Sequence, residues 1–223
     1  MEIFSLGGYN VIGRNMTAVK VGQDIVIFDM GLYLPPLSKS EKEQHLLSMY
    51  ELKDLGVLPN DTLLAPYKKN VRAIVLGHAH LDHIGAVPYL AHHYDCPIIG
   101  TPFTIEVLKN ICKNKHIELK NELIAVKPDG QFILGKDLKL RLVHVTHSTP
   151  QSSIPVLSTS EGVFVYTNDF KFDETPTLGD KTSYKYLQEL KHVRAVVADC
   201  CYASICGETP SEKIAEDMLK ETL

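Results

Sequence analysis

The chain has no tryptophan, and none of its apolar runs approaches the roughly 20 residues needed to cross a bilayer. Its first residues, MEIFSLGGYNVIG, have neither a basic start nor a long apolar core, so they do not resemble a secretory signal peptide. We therefore expect a cytoplasmic protein that has no membrane partner.

Paired cysteines are also missing. The five cysteines form no CxxC pair, and three of them, Cys200, Cys201 and Cys206, lie close together near the end of the sequence. This usage argues against a cysteine-based zinc site. It predicts structural, mostly buried free thiols in a reducing compartment.

The chain lacks an excess of basic residues. It has 23 lysines and arginines against 27 aspartates and glutamates, so its formal net charge is −4. This balance argues against a protein that binds nucleic acid through a broad basic face. It is compatible with an enzyme that grips phosphate mainly through metal ions.

Strands alternate with helices in the first part of the chain, and hairpins dominate later, which predicts an α/β protein with mixed sheets. A hairpin is expected within residues 16–30, and residues 32–70 should form a surface excursion with one helix at residues 40–52. The other expected strands are residues 2–6, 71–76, 97–100, 139–147, 154–159, 162–170 and 194–199. The other expected helices are residues 83–94, 101–115 and 184–190, with a final helix capped at Thr209 or Ser211 that runs to the last residue.

The segment VLGHAHLDHIG, residues 75–85, concentrates ligand-type side chains behind a strand. His78 and His80 alternate in an expected extended loop, so both imidazoles can face one point. Asp82 and His83 follow where a helix should begin and can face a second point nearby. These groups suit Zn²⁺ and would accept Mn²⁺ or Fe²⁺, in the two-metal arrangement used for hydrolysis. The alternative, a surface turn that is rich in histidine by chance, is disfavoured by the spacing.

Three further candidates stand at expected strand ends. His147 ends KLRLVHVTH, Asp169 ends GVFVYTND, and Asp29 ends the apolar run IVIF. Asp169 could bridge two ions through its two oxygens, whereas Asp29 is better placed to orient a histidine that binds metal. A lone aspartate at a strand end is more often a turn or helix-cap residue. Together with HAHLDH, however, these residues favour a metal site.

Beyond HAHLDH, four motifs occur in order along the chain: GGYNVIGRNM, THSTPQSS, TNDFKFD and VVADCCYAS. With them the sequence resembles the RNA-processing branch of the metallo-β-lactamase fold, and within it the ribonuclease J family. The resemblance implies an αββα sandwich of two mixed sheets. It also implies a metallo-β-lactamase domain at residues 1–208 and a helix, residues 209–223, that leads toward an absent β-CASP domain. Without that domain and the C-terminal strands, the fold would be incomplete.

The resemblance also implies a set of metal ligands. His78, His80 and His147 would hold one divalent ion, and Asp82 and His83 the other. Asp169 would lie between the two ions. Zn²⁺ is the expected metal and Mn²⁺ the alternative.

Two carboxylates outside this ligand set receive roles by the same resemblance. Asp29 would brace the pair His78 and His80. Asp199, in VVADCCYAS, would assist the leaving group together with a histidine from the β-CASP part.

The implied activity is hydrolysis of RNA phosphodiester bonds by a metal-bridging hydroxide, which Asp82 and Asp169 would hold for in-line attack. Trimming of RNA from its 5′ end is expected, with internal cleavage as the alternative, and the isolated chain could be inactive. Self-association would involve regions outside this chain. Two other function classes stay open: a glyoxalase- or lactamase-type hydrolase of a thioester or lactam, and an inactive metal-binding scaffold subunit.

Two positions depart from the family pattern. Asn168 stands where the family usually has glycine, beside the expected bridging carboxylate Asp169. Gln151 stands where an acidic residue is common, which should alter substrate contacts.

Overall fold

A computed structural model describes residues 1–39 and 47–223, which form two compact units, Met1–Val126 and Lys127–Leu223. Each unit contains one β-sheet, and both sheets are mixed, as the sequence predicts. Within the described residues, no helix is long and apolar enough to cross a membrane.

The sheet of the first unit has six strands that lie side by side in chain order. The first three strands are antiparallel, and the later ones pair in parallel. The strands are β1 (Glu2–Gly7), β2 (Met16–Val21), β3 (Asp24–Phe28), β4 (Val71–Val75), β5 (Ile98–Gly100) and β6 (Leu123–Ala125). The α-helices are α1 (Met49–Asp54), α2 (Leu81–Ile84), α3 (Val87–Leu90) and α4 (Pro102–Asn114), with 3₁₀ segments at Leu37–Lys39, Asp61–Asn70 and Ala91–His93.

The predicted hairpin is confirmed as β2 and β3. Val21 pairs with Asp24 across a two-residue turn, and Gly22 has a φ of 57°, which glycine adopts without steric cost. The apolar runs of β3 and β4 pair in parallel and are almost entirely buried. The two strands therefore end next to each other, and the chain leaves both at the same edge of the sheet.

The described part of the excursion between β3 and β4 includes α1 and the ten-residue 3₁₀ segment Asp61–Asn70. The expectation of a surface excursion is wrong for its apolar side chains, because Leu52, Val57 and Leu64 are buried in the core. Of the helix predicted at residues 40–52, residues 40–46 lie outside the described part of the chain. The described helix α1 begins after Ser48, which forms a capping box with Glu51.

The continuous helix predicted at residues 83–94 is wrong. The segment is helical only in short pieces, because its backbone groups bond to other segments. The amide of Ala86 donates to the carbonyl of Met30 at 2.9 Å instead of continuing the ladder of α2. Pro88, which has no N–H to donate, lies at the start of α3. This broken helix follows directly on the HAHLDH segment.

The sheet of the second unit has five strands in the order β11-β10-β9-β8-β7. All neighbours are antiparallel except the parallel pair β10 and β11. The strands are β7 (Gln131–Gly135), β8 (Leu138–His144), β9 (Ser153–Thr159), β10 (Gly162–Tyr166) and β11 (Val193–Val197). The helices are α5 (Tyr184–Gln188) and α6 (Glu212–Thr222).

Two predicted strands are shorter than expected, and two short strands were not predicted. β8 ends at His144 and β10 at Tyr166, so each of the candidates His147 and Asp169 lies three residues beyond its strand. The unpredicted strands are β6 and β7. β6 has only three residues. In β7, which has five, exposed and half-buried positions alternate. Both strands are short, so the sequence gives a weak strand signal.

The final helix α6 is anchored at its start by a buried carboxylate. Asp173 accepts hydrogen bonds from the hydroxyl of Ser211 at 2.6 Å and from the amides of Glu212 at 2.7 Å and Thr175 at 2.9 Å. The ammonium of Lys171 lies 3.0 Å from the same carboxylate. Burial by itself would raise the pKa of Asp173. These hydrogen bonds stabilise the ionised carboxylate and hold the pKa well below the ordinary value. Ser211, one of the two predicted caps, is confirmed.

We predict that Asp173→Asn lowers the free energy of unfolding at pH 7 by about 1–3 kcal/mol, because charge-assisted hydrogen bonds at the start of α6 are lost. The depressed pKa makes this stabilisation complete above about pH 4 and progressively weaker as the pH falls below that value. Denaturant unfolding at pH 7 and at acid pH, with hydrogen exchange of the α6 amides, measures both effects. Asp137→Asn, an exposed residue between β7 and β8, is the matched control. Equal stability of Asp173→Asn and the wild type at pH 7 would contradict the prediction.

Candidate metal centre

The HAHLDH segment leaves β4 as an extended loop and turns into α2 at Leu81, with His80 as the residue before the helix. His78 is fully buried and His80 is half-buried. The Nε2 atom of His78 lies 2.9 Å from Nδ1 of His80. The expectation that these two imidazoles face one point is therefore confirmed.

Asp29 follows β3 and is fully buried, but it contacts a different histidine from the expected one. One carboxylate oxygen lies 2.7 Å from Nδ1 of His83, and the other accepts a hydrogen bond from the amide of Gly77 at 2.9 Å. The expectation that Asp29 braces His78 and His80 is thus corrected: the histidine that it contacts is His83, of the second pair. The cause is geometric, since Asp29 leaves β3 in a left-handed conformation, φ 58°, beside the end of β4.

The start of α2 is hydrogen-bonded by two segments: the glycine-rich loop between β1 and β2, and the residues after β3. The amide of Asn15 donates to the carbonyl of Asp82 at 3.1 Å, and the amide of Met30 donates to the carbonyl of His83 at 2.7 Å. Gly31 packs so closely that a Cβ atom there would lie 1.5 Å from the Asp82 carbonyl oxygen. The backbone of the two candidate ligands is therefore held from both sides.

Asn15 also contacts a candidate ligand through its side chain. Its Nδ2 atom lies 3.0 Å from Nε2 of His83 and 3.0 Å from the Asp82 carbonyl oxygen. Asn15 belongs to the motif GGYNVIGRNM but was not among the predicted site residues. The signal available was its position in the glycine-rich loop, directly before the buried strand β2.

The donor set of the first unit fits divalent ions. Within each of the pairs His78–His80 and Asp82–His83, one ligand atom of each residue lies within 4.8 Å of the other. Nε2 of His83 is 3.6 Å from a carboxylate oxygen of Asp82. Two ligand atoms at about 2.0–2.2 Å from one tetrahedral ion lie about 3.3–3.6 Å apart. The separation of Asp82 and His83 falls in this range, whereas the 2.9 Å between His78 and His80 is shorter and is a hydrogen-bond distance. Neutral imidazoles with a carboxylate are ligands that suit Zn²⁺ and Mn²⁺.

The second unit contributes its own pair. His147 follows β8 and Asp169 follows β10, with Nε2 of His147 3.8 Å from a carboxylate oxygen of Asp169. Both are half-buried. An isolated bridge between Thr146 and Lys171 ties the residues beside them together. The structure thus brings these two candidates into contact range within this unit.

Of the two departures from the family pattern, Asn168 has a backbone explanation, whereas nothing in the described structure explains Gln151. Asn168 has a φ of 59° and Gln151 a φ of 57°, the left-handed region that glycine favours. Asparagine tolerates this region better than most side chains, so it can replace glycine before Asp169. The Asn168 side chain is buried and donates to the carbonyl of Ser153 at 3.3 Å.

Asp199 lies two residues beyond β11 and is half-buried. Its amide donates to the hydroxyl of Thr167, and its carboxylate accepts from the amide of Cys201 at 2.9 Å. A hydrogen bond with this carboxylate, together with burial, raises the pKa of the Cys201 thiol to about 11. The thiol is therefore protonated at neutral pH.

The cysteines agree only in part with expectation. All five are free thiols, as predicted. Cys96 and Cys112 are buried, and burial raises the pKa of both, to about 12 for Cys96. The expectation of mostly buried thiols is wrong for Cys200, Cys201 and Cys206, which are exposed. They lie in turns after an edge strand, with few apolar neighbours to cover them.

One family model and several named relatives match the chain. The family model described as the metallo-beta-lactamase superfamily matches residues 45–204. The chain is 42% identical over 227 residues to a protein named Ribonuclease J from Methanocaldococcus jannaschii, covering 100% of the chain and 51% of that relative. It is 40% identical over 226 residues to Ribonuclease J from Pyrococcus abyssi, covering 99% and 50%. The chain thus spans about half the length of the curated relatives it matches.

Two solved structures resemble the chain over nearly its whole length. A protein of unknown function from Enterococcus faecalis V583 has a TM-score of 0.69 at 17% identity, with 97% of this chain and 56% of that chain covered. The short form of human tRNase Z has a TM-score of 0.55 at 12% identity, with 99% and 88% covered. At these identities the matches bear on the fold alone, and they agree with the fold predicted from the sequence.

We predict that Asp29→Ala weakens the binding of divalent ions about 10- to 100-fold, because His83 loses the partner that orients its ring. Competition between the protein and a chelator for Zn²⁺ measures the change. Asp24→Ala is the matched control, since Asp24 starts the same strand and pairs with Arg72 at the surface. An affinity in Asp29→Ala equal to that of the control would contradict the prediction.

Gly31→Ala should displace the start of α2, because its Cβ atom would overlap the Asp82 backbone. We expect a loss of about 1–3 kcal/mol in the free energy of unfolding, together with weaker metal binding. Gly135→Ala serves as control, since a Cβ atom at Gly135 meets no heavy atom within 4 Å. Denaturant unfolding and metal titration of both variants check the expectation, which fails if the two behave alike.

Proposed function

Because the chain belongs to the metallo-β-lactamase superfamily, we propose that it is a metal-dependent ribonuclease that hydrolyses phosphodiester bonds of RNA. The observation that carries the proposal is the 42% identity to a protein named Ribonuclease J along the whole chain. The histidine and aspartate pairs described above supply the ligand types that such chemistry needs. RNA is the proposed partner.

The proposed centre holds two divalent ions, Zn²⁺ first and Mn²⁺ as the alternative. His78, His80 and His147 are assigned to one ion and Asp82 and His83 to the other. When bound, such ions supply a water activated at neutral pH and neutralise charge on the phosphoryl group. The support from this chain is the donor chemistry and the spacing within each pair.

Asp169 is assigned a place between the two ions, since a carboxylate has two oxygens to offer. In the proposed reaction the oxygen of a water molecule adds to phosphorus, the P–O3′ bond breaks, and the leaving O3′ atom takes a proton. The proton of the attacking water passes to solvent, and the proposed role of Asp82 and Asp169 is to fix the attacking oxygen for in-line displacement.

Two further carboxylates act without contacting the attacked phosphorus. Asp29 is a positioning residue, since it accepts from His83 and so directs Nε2 of that ring away from the buried side. Asp199 is assigned to the leaving-group side, where a carboxylate can orient the group that protonates O3′.

Trimming from the 5′ end is the proposed mode, with internal cleavage as the alternative outcome of the assay. Residues 1–208 are proposed as the catalytic domain, with α6 leading to a further domain that would enclose RNA. A cytoplasmic site of action is proposed from the five free thiols, which suit a reducing compartment.

We predict that the product of the complete reading frame degrades 3′-labelled, 5′-monophosphorylated RNA in the presence of Mn²⁺ or Zn²⁺. Asp169→Ala should lower the rate at least about 100-fold, because a ligand of the reacting centre is lost. Asp137→Ala, an exposed residue of the same type and unit, should leave the rate unchanged.

The product ladder separates the outcomes. Mononucleotides with a shrinking labelled strand indicate 5′ trimming, whereas discrete labelled fragments indicate internal cleavage. RNA that survives with every metal tested contradicts the ribonuclease assignment, and thioester and lactam substrates would then be tested on the same preparation.

A further inference from the structure

The side-chain amide of Asn15 faces two hydrogen-bond acceptors at the proposed metal centre. Its Nδ2 atom is 3.0 Å from the carbonyl oxygen of Asp82 and 3.0 Å from Nε2 of His83. A primary amide has two N–H donors, so it can satisfy both acceptors at once. One of them is the ring nitrogen that the proposed metal centre would use.

The orientation of this amide follows from its neighbours. Asp29 is a buried carboxylate 2.7 Å from Nδ1 of His83, so in the neutral imidazole the ring proton lies on Nδ1 and Nε2 presents a lone pair. The Asp82 carbonyl is also an acceptor. The atom of Asn15 that faces both must therefore be the donor Nδ2 and not the oxygen.

The position of Asn15 is set by its backbone as well. Its amide donates to the Asp82 carbonyl, and its own carbonyl accepts from the amide of Gly31 at 2.9 Å. Gly8 leaves room for the carboxamide, since a Cβ atom there would lie 2.5 Å from Oδ1 of Asn15. The contact with His83 is thus built into the glycine-rich loop.

We propose that Asn15 competes with a divalent ion for Nε2 of His83 and so lowers the affinity of the Asp82–His83 position. The nitrogen has one lone pair, which either accepts from Asn15 or binds an ion. Asp29 holds the ring of His83 independently of Asn15, so loss of the Asn15 side chain frees the lone pair without releasing the ring. Asn15 is therefore a positioning residue that makes the two ion positions unequal.

This inference rests on the proposed metal centre and adds an order of filling to it. The proposal assigns the first ion to the pair His78–His80 and the second ion to Asp82 and His83. The second ion must displace the Asn15 amide. A net hydrogen bond of ordinary strength corresponds to an affinity difference of about 3- to 10-fold.

The test is a Zn²⁺ titration of the whole 223-residue chain against a fluorescent chelator of known affinity, for the wild type, Asn15→Ala and Asn110→Ala. Asn110 is the matched control, since its exposed side-chain amide donates to the backbone carbonyl of Glu106 within α4. We expect the weaker binding constant to tighten about 3- to 10-fold in Asn15→Ala, with the tighter constant unchanged. Both constants should be unchanged in Asn110→Ala.

A second readout does not depend on the variant. In the metal-free wild type, the ¹⁵N resonances of His83 should show a protonated Nδ1 and an Nε2 that accepts a hydrogen bond. The Nε2 resonance should shift in Asn15→Ala, while that of Nδ1 stays in place. A purely structural role of Asn15 would not produce this selective shift, and thermal unfolding of each variant controls for loss of fold.

Each outcome decides the inference. A weaker constant that is unchanged or lower in a folded Asn15→Ala overturns it, and so does a wild-type Nε2 resonance without a hydrogen bond. A wild type that binds no divalent ion overturns both this inference and the proposed metal centre. Tight ion binding with no RNA cleavage contradicts only the proposed ribonuclease activity and leaves the role of Asn15 supported.

Discussion

The buried carboxylate of Asp29 is the constraint on which the rest of the first unit's site depends. A charge without access to water is costly unless it is paired and hydrogen-bonded, and Asp29 meets this requirement with His83 and the amide of Gly77. Both partners come from the segment that leaves β4. The end of β3 and the start of α2 must therefore stay in register, and the parallel pairing of β3 with β4 supplies that register.

The broken helix after HAHLDH is a consequence of the same arrangement. Backbone groups that a continuous helix would use internally are instead shared with the segment after β3 and with the glycine-rich loop. The helix is interrupted where Ala86 bonds to Met30, and a new one, α3, begins at Val87 with Pro88 as its second residue. Hydrogen bonds to these two segments therefore replace those of a continuous helix. They also hold the candidate ligands in fixed positions, as a metal centre requires.

Chemistry and geometry contribute separately to the functional proposal. The residue types, imidazoles and carboxylates, indicate a divalent metal, and the 3.6 Å between Asp82 and His83 is a separation that one ion can bridge. The similarity to proteins named Ribonuclease J points to RNA. Asn15 adds a feature that residue types alone do not suggest, because an amide donor beside a ligand nitrogen changes the affinity of a site without being a ligand.

The sequence by itself determined the mixed α/β class, the β2–β3 hairpin and the pairing of His78 with His80, since these depend on local periodicity and short spacings. The tertiary structure alone decided which histidine Asp29 holds, where β8 and β10 end, and that Asn15 reaches His83. Asn15 and His83 are 68 positions apart, and Asp29 and His83 are 54 apart. No local pattern specifies such contacts, because they arise only when strands pair and bring distant loops to one edge of a sheet.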